Sequence, residues 1–142
     1  MMKTVEEKVE SVYHILSCIY SESPWTMDQI KRDLESPNVD YYFVYNGQEI
    51  IAFLSLQQLV GELEITNIAV LPDYQGKGIG AQLLQKVASS NHPIFLEVRE
   101  SNLAAQALYK KANFSIIGKR KNYYKNPIEG ALLMKREGKD DR

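Results

Sequence analysis

The stretch LPDYQGKGIGAQLLQKV, Leu71 to Val87, sets Gly76, Gly78 and Gly80 within five residues and then turns helical. Before it runs ELEITNIAVL (62–71), a strand pattern that Pro72-Asp73 breaks. After it, Ile79, Leu83, Leu84 and Val87 fall on one helical stripe. A strand, a glycine-rich bend and a helix N-terminus gather backbone N–H groups and partial positive charge at one point. Such a concavity suits an anion, with phosphate the usual guest; a structural tight turn is the plain alternative. Two familiar phosphate loops fit poorly. A Walker loop needs a hydroxyl residue after its Gly-Lys, and Lys77 is followed by Gly78. A dinucleotide fingerprint needs Gly-x-Gly-x-x-Gly, whereas the spacing here is Gly76-x-Gly78-x-Gly80 after a long hairpin region.

Working outward, Val5, Val9, Val12, Leu16 and Ile19 recur at helical spacing, and Ser23-Pro24-Trp25 ends that helix. Thr26 and Gln29 stand at capping-box spacing for a second helix, which Ser36-Pro37 closes. Residues 39–59 read as a hairpin around Asn46-Gly47. In the following strand, strict alternation puts Leu63, Ile65, Asn67, Ala69 and Leu71 on one face. The other face carries Glu62, Glu64 and Thr66, then Ile68 and Val70. The first half is therefore expected to be half-exposed and the second half buried on both faces. PIFLEVR (93–99) is a short strand. SNLAAQALYKKANF (101–114) is a helix that Ser101 can cap and Asn113 can leave in the left-handed conformation. SIIGKRKNYY (115–124) and ALLMKR (131–136) form a last antiparallel pair. The order α-α-β-β-β-α-β-α-β-β predicts a mixed α/β fold over residues 1–136, with 137–142 a charged, disordered tail.

Composition bounds the function. The 142 residues suit one domain, and 44% hydrophobic content supports a core. Lys+Arg 17 against Asp+Glu 18 argues against a protein held to nucleic acid by a bulk positive field, although KRKNYYK (119–125) is a local basic patch. The one cysteine, Cys18, is expected in the core and fits a reducing cytoplasm. No apolar run is long enough to cross a membrane. His14 and His92 lack the partners of a metal site.

Gln75-Gly76-Lys77-Gly78-Ile79-Gly80, after NIAVLPDY, resembles the pyrophosphate loop of the GNAT superfamily of N-acetyltransferases. The resemblance spreads over residues 24–135. TNIAVLPDYQGKGIGAQLL, LEVRESNLAAQALY, KNYY and the Pro-Trp at Trp25 look like the ribosomal-protein-alanine N-acetyltransferases, the RimI family. It implies a twisted mixed sheet that splays between the family's fourth and fifth strands, here ITNIAV and IFLEVR. It also implies acetyl-CoA as cosubstrate, no metal, and a protein N-terminus, that of a ribosomal small-subunit protein, as acceptor. The family's opening strand is short or missing, because helical periodicity begins by Val5. By the same resemblance, Gln75, Gly76, Lys77, Gly78, Ile79 and Gly80 hold the pyrophosphate. Ile68, Ala69 and Val70 offer backbone groups to the pantetheine amides, and Asn102 and Tyr109 touch the same arm.

The chemistry needs a base for the attacking amine and an acid for the leaving thiolate. An α-amine with a pKa near 7.8 is neutral in roughly one molecule in seven at pH 7, against about 0.04% for a lysine amine. A single carboxylate then suffices. Glu97, mid-strand between Leu96 and Val98, is a costly residue to bury unless paired or functional. It matches the family's base; the alternatives are an ion pair with Arg99 or a helix lysine, or an exposed strand end. Tyr109 matches the family's acid; the alternative is a ring in the core with a wet hydroxyl. Trp25, Tyr123 and Tyr124 lie where relatives close over the incoming peptide, with packing roles as the alternative; Asn67, a polar residue on the apolar face of its strand, is expected to have a partner or a role in binding the substrate. Two departures stand out. Ala112-Asn113-Phe114 replaces Leu-Gly-Phe, and Gly130 stands where relatives often carry a second acid after Glu129. Competing functions are acetylation of lysine side chains or small amines, and a non-catalytic acyl-CoA-binding module.

Overall fold

A computed structural model describes residues 3–20, 22–125 and 127–139. Two helices lead, α1 (Val5–Ile19) and α2 (Met27–Glu35). Both start on reciprocal capping boxes. Thr4 exchanges bonds with Glu7, and Thr26 with Gln29, so each first turn satisfies two otherwise orphaned backbone N–H groups. No strand precedes α1 among the described residues. There follow β1 (Val39–Asn46), β2 (Glu49–Leu59), β3 (Glu62–Val70) and α3 (Ile79–Gln85), then β4 (Ile94–Arg99), α4 (Leu103–Lys111), β5 (Ser115–Tyr124) and β6 (Glu129–Arg136).

The six strands form one sheet in the order β1-β2-β3-β4-β6-β5. Every neighbouring pair is antiparallel except β3 and β4. From Ile50 to Leu56, β2 is buried without a break, so both faces of the sheet are covered there, and α1 and α3 both pack on it. The core runs through Phe53, Leu54, Ile15, Leu16, Leu83, Ile94 and Met134. Tyr41 joins two layers: its ring stacks 5.9 Å from that of Phe53, and its hydroxyl donates to Asp33 Oδ2 at 2.7 Å.

Two features shape the centre. First, β3 and β4 pair only at Leu63–Ile94 and Glu64–Phe95 and then separate. Second, the β2–β3 register slips: Ser55 faces Asn67, but Leu56 faces Ile65, leaving Thr66 as an inserted bulge residue. The bulge corrects the strict alternation expected of this strand. Asn67 shares a face with Ser55 and Glu64, not with Ile65. Thr66 Oγ1 and the fully buried Ser55 Oγ share a 2.7 Å hydrogen bond at the slip. The second half of β3 is not buried on both faces either. Ile68 and Val70 stay half-buried, because the departing β4 leaves open space beside them.

Other expectations change in detail. Cys18 is exposed, because it lies off the Val9–Val12–Leu16 stripe, next to His14 one turn back. Asn102, not Ser101, caps α4, its Oδ1 accepting from Ala105 N–H at 3.1 Å; Ser101 is drawn instead to Glu129. Asn113 does leave α4 at φ +73°. Of the expected tail, Lys139 N–H bonds to Ser90 O at 2.9 Å, and residues 140–142 lie outside the described residues.

Phe53 is the largest fully buried side chain and sits in a strand covered on both faces. Phe53→Ala is expected to lower the unfolding free energy by about 3–5 kcal/mol. Val60→Ser, at a fully exposed turn residue, should change it by less than about 0.5 kcal/mol. Urea denaturation of both variants checks the pair.

Candidate active site

Each of the three loop glycines is required for a stated reason. Gly76 (φ +77°) and Gly78 (φ +82°) take the left-handed backbone that side chains disfavour, and Gly78 is the N-cap of α3. Gly80 is needed for packing: a Cβ there would come within 2.9 Å of Leu108 Cδ2, so glycine lets α3 approach α4. The bend is anchored on both sides. Gln75 Nε2 donates to Val70 O at 3.0 Å, and Asn46 Nδ2 donates to the Tyr74 hydroxyl at 2.8 Å. The first helical N–H groups after Gly78 have no intrahelical acceptor and remain free for an anion.

This loop forms one wall of a cavity of about 450 Å³. Gln75, Gly76, Gly78, Ile79 and Gly80 line it, with Ile68, Ala69 and Val70 beside them and Asn102 and Tyr109 opposite. Lys77 does not line it; its Nζ lies 5.6 Å from the Tyr74 ring centre. Along Ile68–Val70, β3 is bonded to β2 on one edge, while the edge toward β4 is unpaired. A long, narrow ligand carrying amides and a pyrophosphate fits such a cleft: backbone groups along one side, an apolar floor, and a cradle of N–H groups at the end.

A second cavity, of about 400 Å³, meets the first at Asn102 and Tyr109. Trp25, Asn67, Glu97 and Tyr124 line it together. Tyr123 does not line it, yet its hydroxyl donates to Glu97 Oε1 at 3.2 Å. Eight residues absent from the sequence-based site also border it, among them Ile19 and Tyr20 at the end of α1, Thr66 at the bulge, and Arg99. Ile19 gave no signal in the sequence, since it continues the apolar stripe of α1; only the fold leaves it 36% exposed. Thr66 gave none, since a bulge is a property of two strands together.

Glu97 is not paired with Arg99. Its partner is Arg120 of β5, whose Nε lies 3.4 Å from Oε2 without aiming an N–H at it, so this buried oxygen has no hydrogen bond. Arg99 is committed elsewhere. It holds Glu129 Oε1 at 3.0 Å and the Lys125 and Pro127 carbonyls at 3.3 Å, and its guanidinium lies 4.3 Å from the Tyr124 ring centre. Glu129 also accepts from Ser101 N–H and Oγ. This cluster straps the β5–β6 turn over the end of β4. At Gly130, the Cβ position of any larger residue is already occupied by the Glu100 carboxylate, which pairs with Lys119 at 3.2 Å. Gly130 thus makes room for a carboxylate from a different strand end.

Burial raises the Tyr109 phenol well above its ordinary range, so it stays protonated through neutral pH. Burial, then the Glu97 charge, pushes Tyr124 up to about 12. The Arg99 hydrogen bond, helped by Ser101, holds the Glu129 carboxyl below its usual value.

Comparison with known proteins agrees with this geometry. The Acetyltransferase (GNAT) family model matches residues 9–114. The chain therefore belongs to the GNAT family, and it is an N-acetyltransferase. It is 38% identical over 112 residues to the [ribosomal protein bS18]-alanine N-acetyltransferase of Haemophilus influenzae, covering 75% of each chain. The crystal structure of the ribosomal-protein-S18-alanine N-acetyltransferase from Escherichia coli superposes with a TM-score of 0.82 at 27% identity, covering 99% of this chain and 96% of that one. A Bacillus anthracis acetyltransferase solved in complex with acetyl coenzyme A matches at 28% identity and a TM-score of 0.63, over 73% of this chain and 65% of that one.

Two outcomes follow from the loop and the strap. Gly78→Ala places a side chain at φ +82° with nothing crowding its Cβ, so its cost is conformational, about 1–2 kcal/mol in chemical denaturation. The depressed Glu129 carboxyl contributes stability above the ordinary carboxylate range and loses it as pH falls through its lowered value. The stability difference between the parent and Glu129→Gln should therefore be widest near neutrality and close toward acid, measured by denaturation across pH.

Proposed function

We propose that the chain transfers the acetyl group of acetyl-CoA to the N-terminal α-amino group of a protein, a ribosomal small-subunit protein with N-terminal alanine. The observation that carries this reading is the meeting of two cavities at the β3–β4 splay. Glu97 stands in the wall of one, and Tyr109 stands at their junction.

Acetyl-CoA fits the first cavity, with its pyrophosphate on the Gly76–Gly80 backbone and its pantetheine amides along Ile68–Val70. The acceptor amine enters the second, between Trp25, Asn67 and Tyr124. It attacks the thioester carbonyl, the new C–N bond forms, and the C–S bond breaks. Glu97 receives the amine proton, directly or through water, and Tyr109 donates to the departing sulfur. One carboxylate is enough for an α-amine, a useful fraction of which is already neutral at pH 7. The names of the Haemophilus influenzae and Escherichia coli relatives support alanine of ribosomal protein S18 as the acceptor class.

The test pairs acetyl-CoA with two peptides and reads mass. One peptide has a free N-terminal alanine and no lysine; the other has a blocked N-terminus and one lysine. One acetyl group added to the first peptide alone is the expected result. Acetylation of the second alone overturns the acceptor assignment. In the same assay Glu97→Gln should lower kcat/KM by roughly 100-fold or more, and Tyr109→Phe should lower kcat, with both variants still binding acetyl-CoA. An unchanged rate for Glu97→Gln near pH 7 removes its role as base.

A further inference from the structure

Glu97 has a second side. Away from the acceptor cavity its carboxylate also lines a smaller cavity of about 190 Å³, between the β2–β3 hairpin and β5. Glu62 and Glu64 of β3 and Arg120 of β5 line this space with it, over an apolar floor that includes Phe95 and Leu133. Register explains the approach. Glu64 pairs across with Phe95 at the last joined position of β3 and β4, two residues before Glu97. Glu97 therefore works between a like charge and an opposite one.

We infer that Glu64 and Arg120 are an opposed pair of charges that sets the pH range in which Glu97 accepts a proton: the guanidinium favours the ionised carboxylate, and the Glu64 carboxylate works against it. Both are positioning residues, and the inference rests on the assignment of Glu97 as base. Three observations support it. Arg120 Nε stands 3.4 Å from Glu97 Oε2, an oxygen that is buried and without a hydrogen bond, so its electrostatic partner matters. Glu64 is half-buried in the same cavity, and its own carboxyl is raised by burial first and by Glu97 next. Arg120 is in turn held over the Tyr123 ring, 5.3 Å from its centre, and Tyr123 donates to the other Glu97 oxygen.

The remaining charged groups around Glu97 do not cancel this pair. On β4 itself Arg99 is committed to Glu129. On β5 Lys119 is paired with Glu100, and on β6 Lys135 is paired with Glu137 at 3.3 Å. Tyr123 and Tyr124 are neutral at physiological pH, their phenols raised rather than lowered. Glu62 adds to the negative side of the pocket and raises the Glu64 carboxyl too, after burial and Glu97.

The experiment follows the acid limb of the pH dependence of kcat/KM, expressed per neutral amine so that the substrate's own ionisation drops out, in Glu64→Gln, Arg120→Gln and Arg120→Lys. In parallel, carbon-13 NMR titrates the Glu97 carboxyl in glutamate-labelled protein, its resonance assigned by its loss in Glu97→Gln. Removing the like charge should move the limb and the NMR midpoint to lower pH by about half a unit. Removing the guanidinium should move both to higher pH by a similar amount, and Arg120→Lys should restore most of that shift. Shifts of one sign in both Gln variants, or none in either, overturn the inference. A parent with no turnover on any amine overturns the catalytic reading instead, and the NMR midpoints then still decide between opposed charges and none.

Discussion

The site depends on the early end of the parallel pairing between β3 and β4. After Glu64 and Phe95 the two strands no longer bond. The reason lies in what holds each strand on its other side. β4 is paired with β6 along its whole length, from Ile94–Arg136 to Arg99–Ala131. β3 is paired with β2, but the Thr66 bulge adds local twist to it. Each strand follows its own partner, and a wedge opens between them. The wedge exposes the unpaired edge at Ile68–Val70, lets Tyr109 of α4 reach the gap, and gives Glu97 access to space on a strand whose alternate residues are core.

The charges in the wedge separate into two kinds. Arg99 and Glu129 are fully engaged with each other and with Ser101, Lys125 and Pro127, an arrangement that fixes geometry. Glu97 is under-engaged, with one oxygen taking a single bond from Tyr123 and the other lying buried near Arg120 without one. A carboxylate with spare acceptor capacity at a cavity wall can take a proton; one like Glu129, bonded by Arg99 and by the Ser101 N–H and hydroxyl, cannot do so cheaply. The strand thus carries two charged residues of the same face, Glu97 and Arg99, with opposite degrees of commitment.

Much of the fold was legible in the sequence because it is written locally. The capping box at Thr26, the turn at Gly47, the helical stripe of α1 and the left-handed exit at Asn113 each depend on a few neighbouring residues. The glycine bend was legible from its spacing, and the strand edge only through the family resemblance; ten of the eleven residues the resemblance implies around the pyrophosphate and pantetheine line one cavity, Lys77 being the exception. What was not legible depends on two segments meeting. The bulge at Thr66 reverses the face assigned to Asn67, and no alternation rule within one strand reveals it. The partner of Glu97 comes from β5, 23 positions later, rather than from its own strand. The Glu100 carboxylate occupies the space above Gly130, a meeting of two strand ends that neither segment reveals alone.

The exposed Cys18 has a practical meaning. It is the only thiol in the chain, and it sits beside Ile19 and Tyr20, which border both cavities. A single maleimide dye attached there would label the end of α1, one and two residues before two residues that border the cavities, without any engineered cysteine or the removal of a native one. The protein therefore carries its own position for a single label on the helix end nearest the cavities.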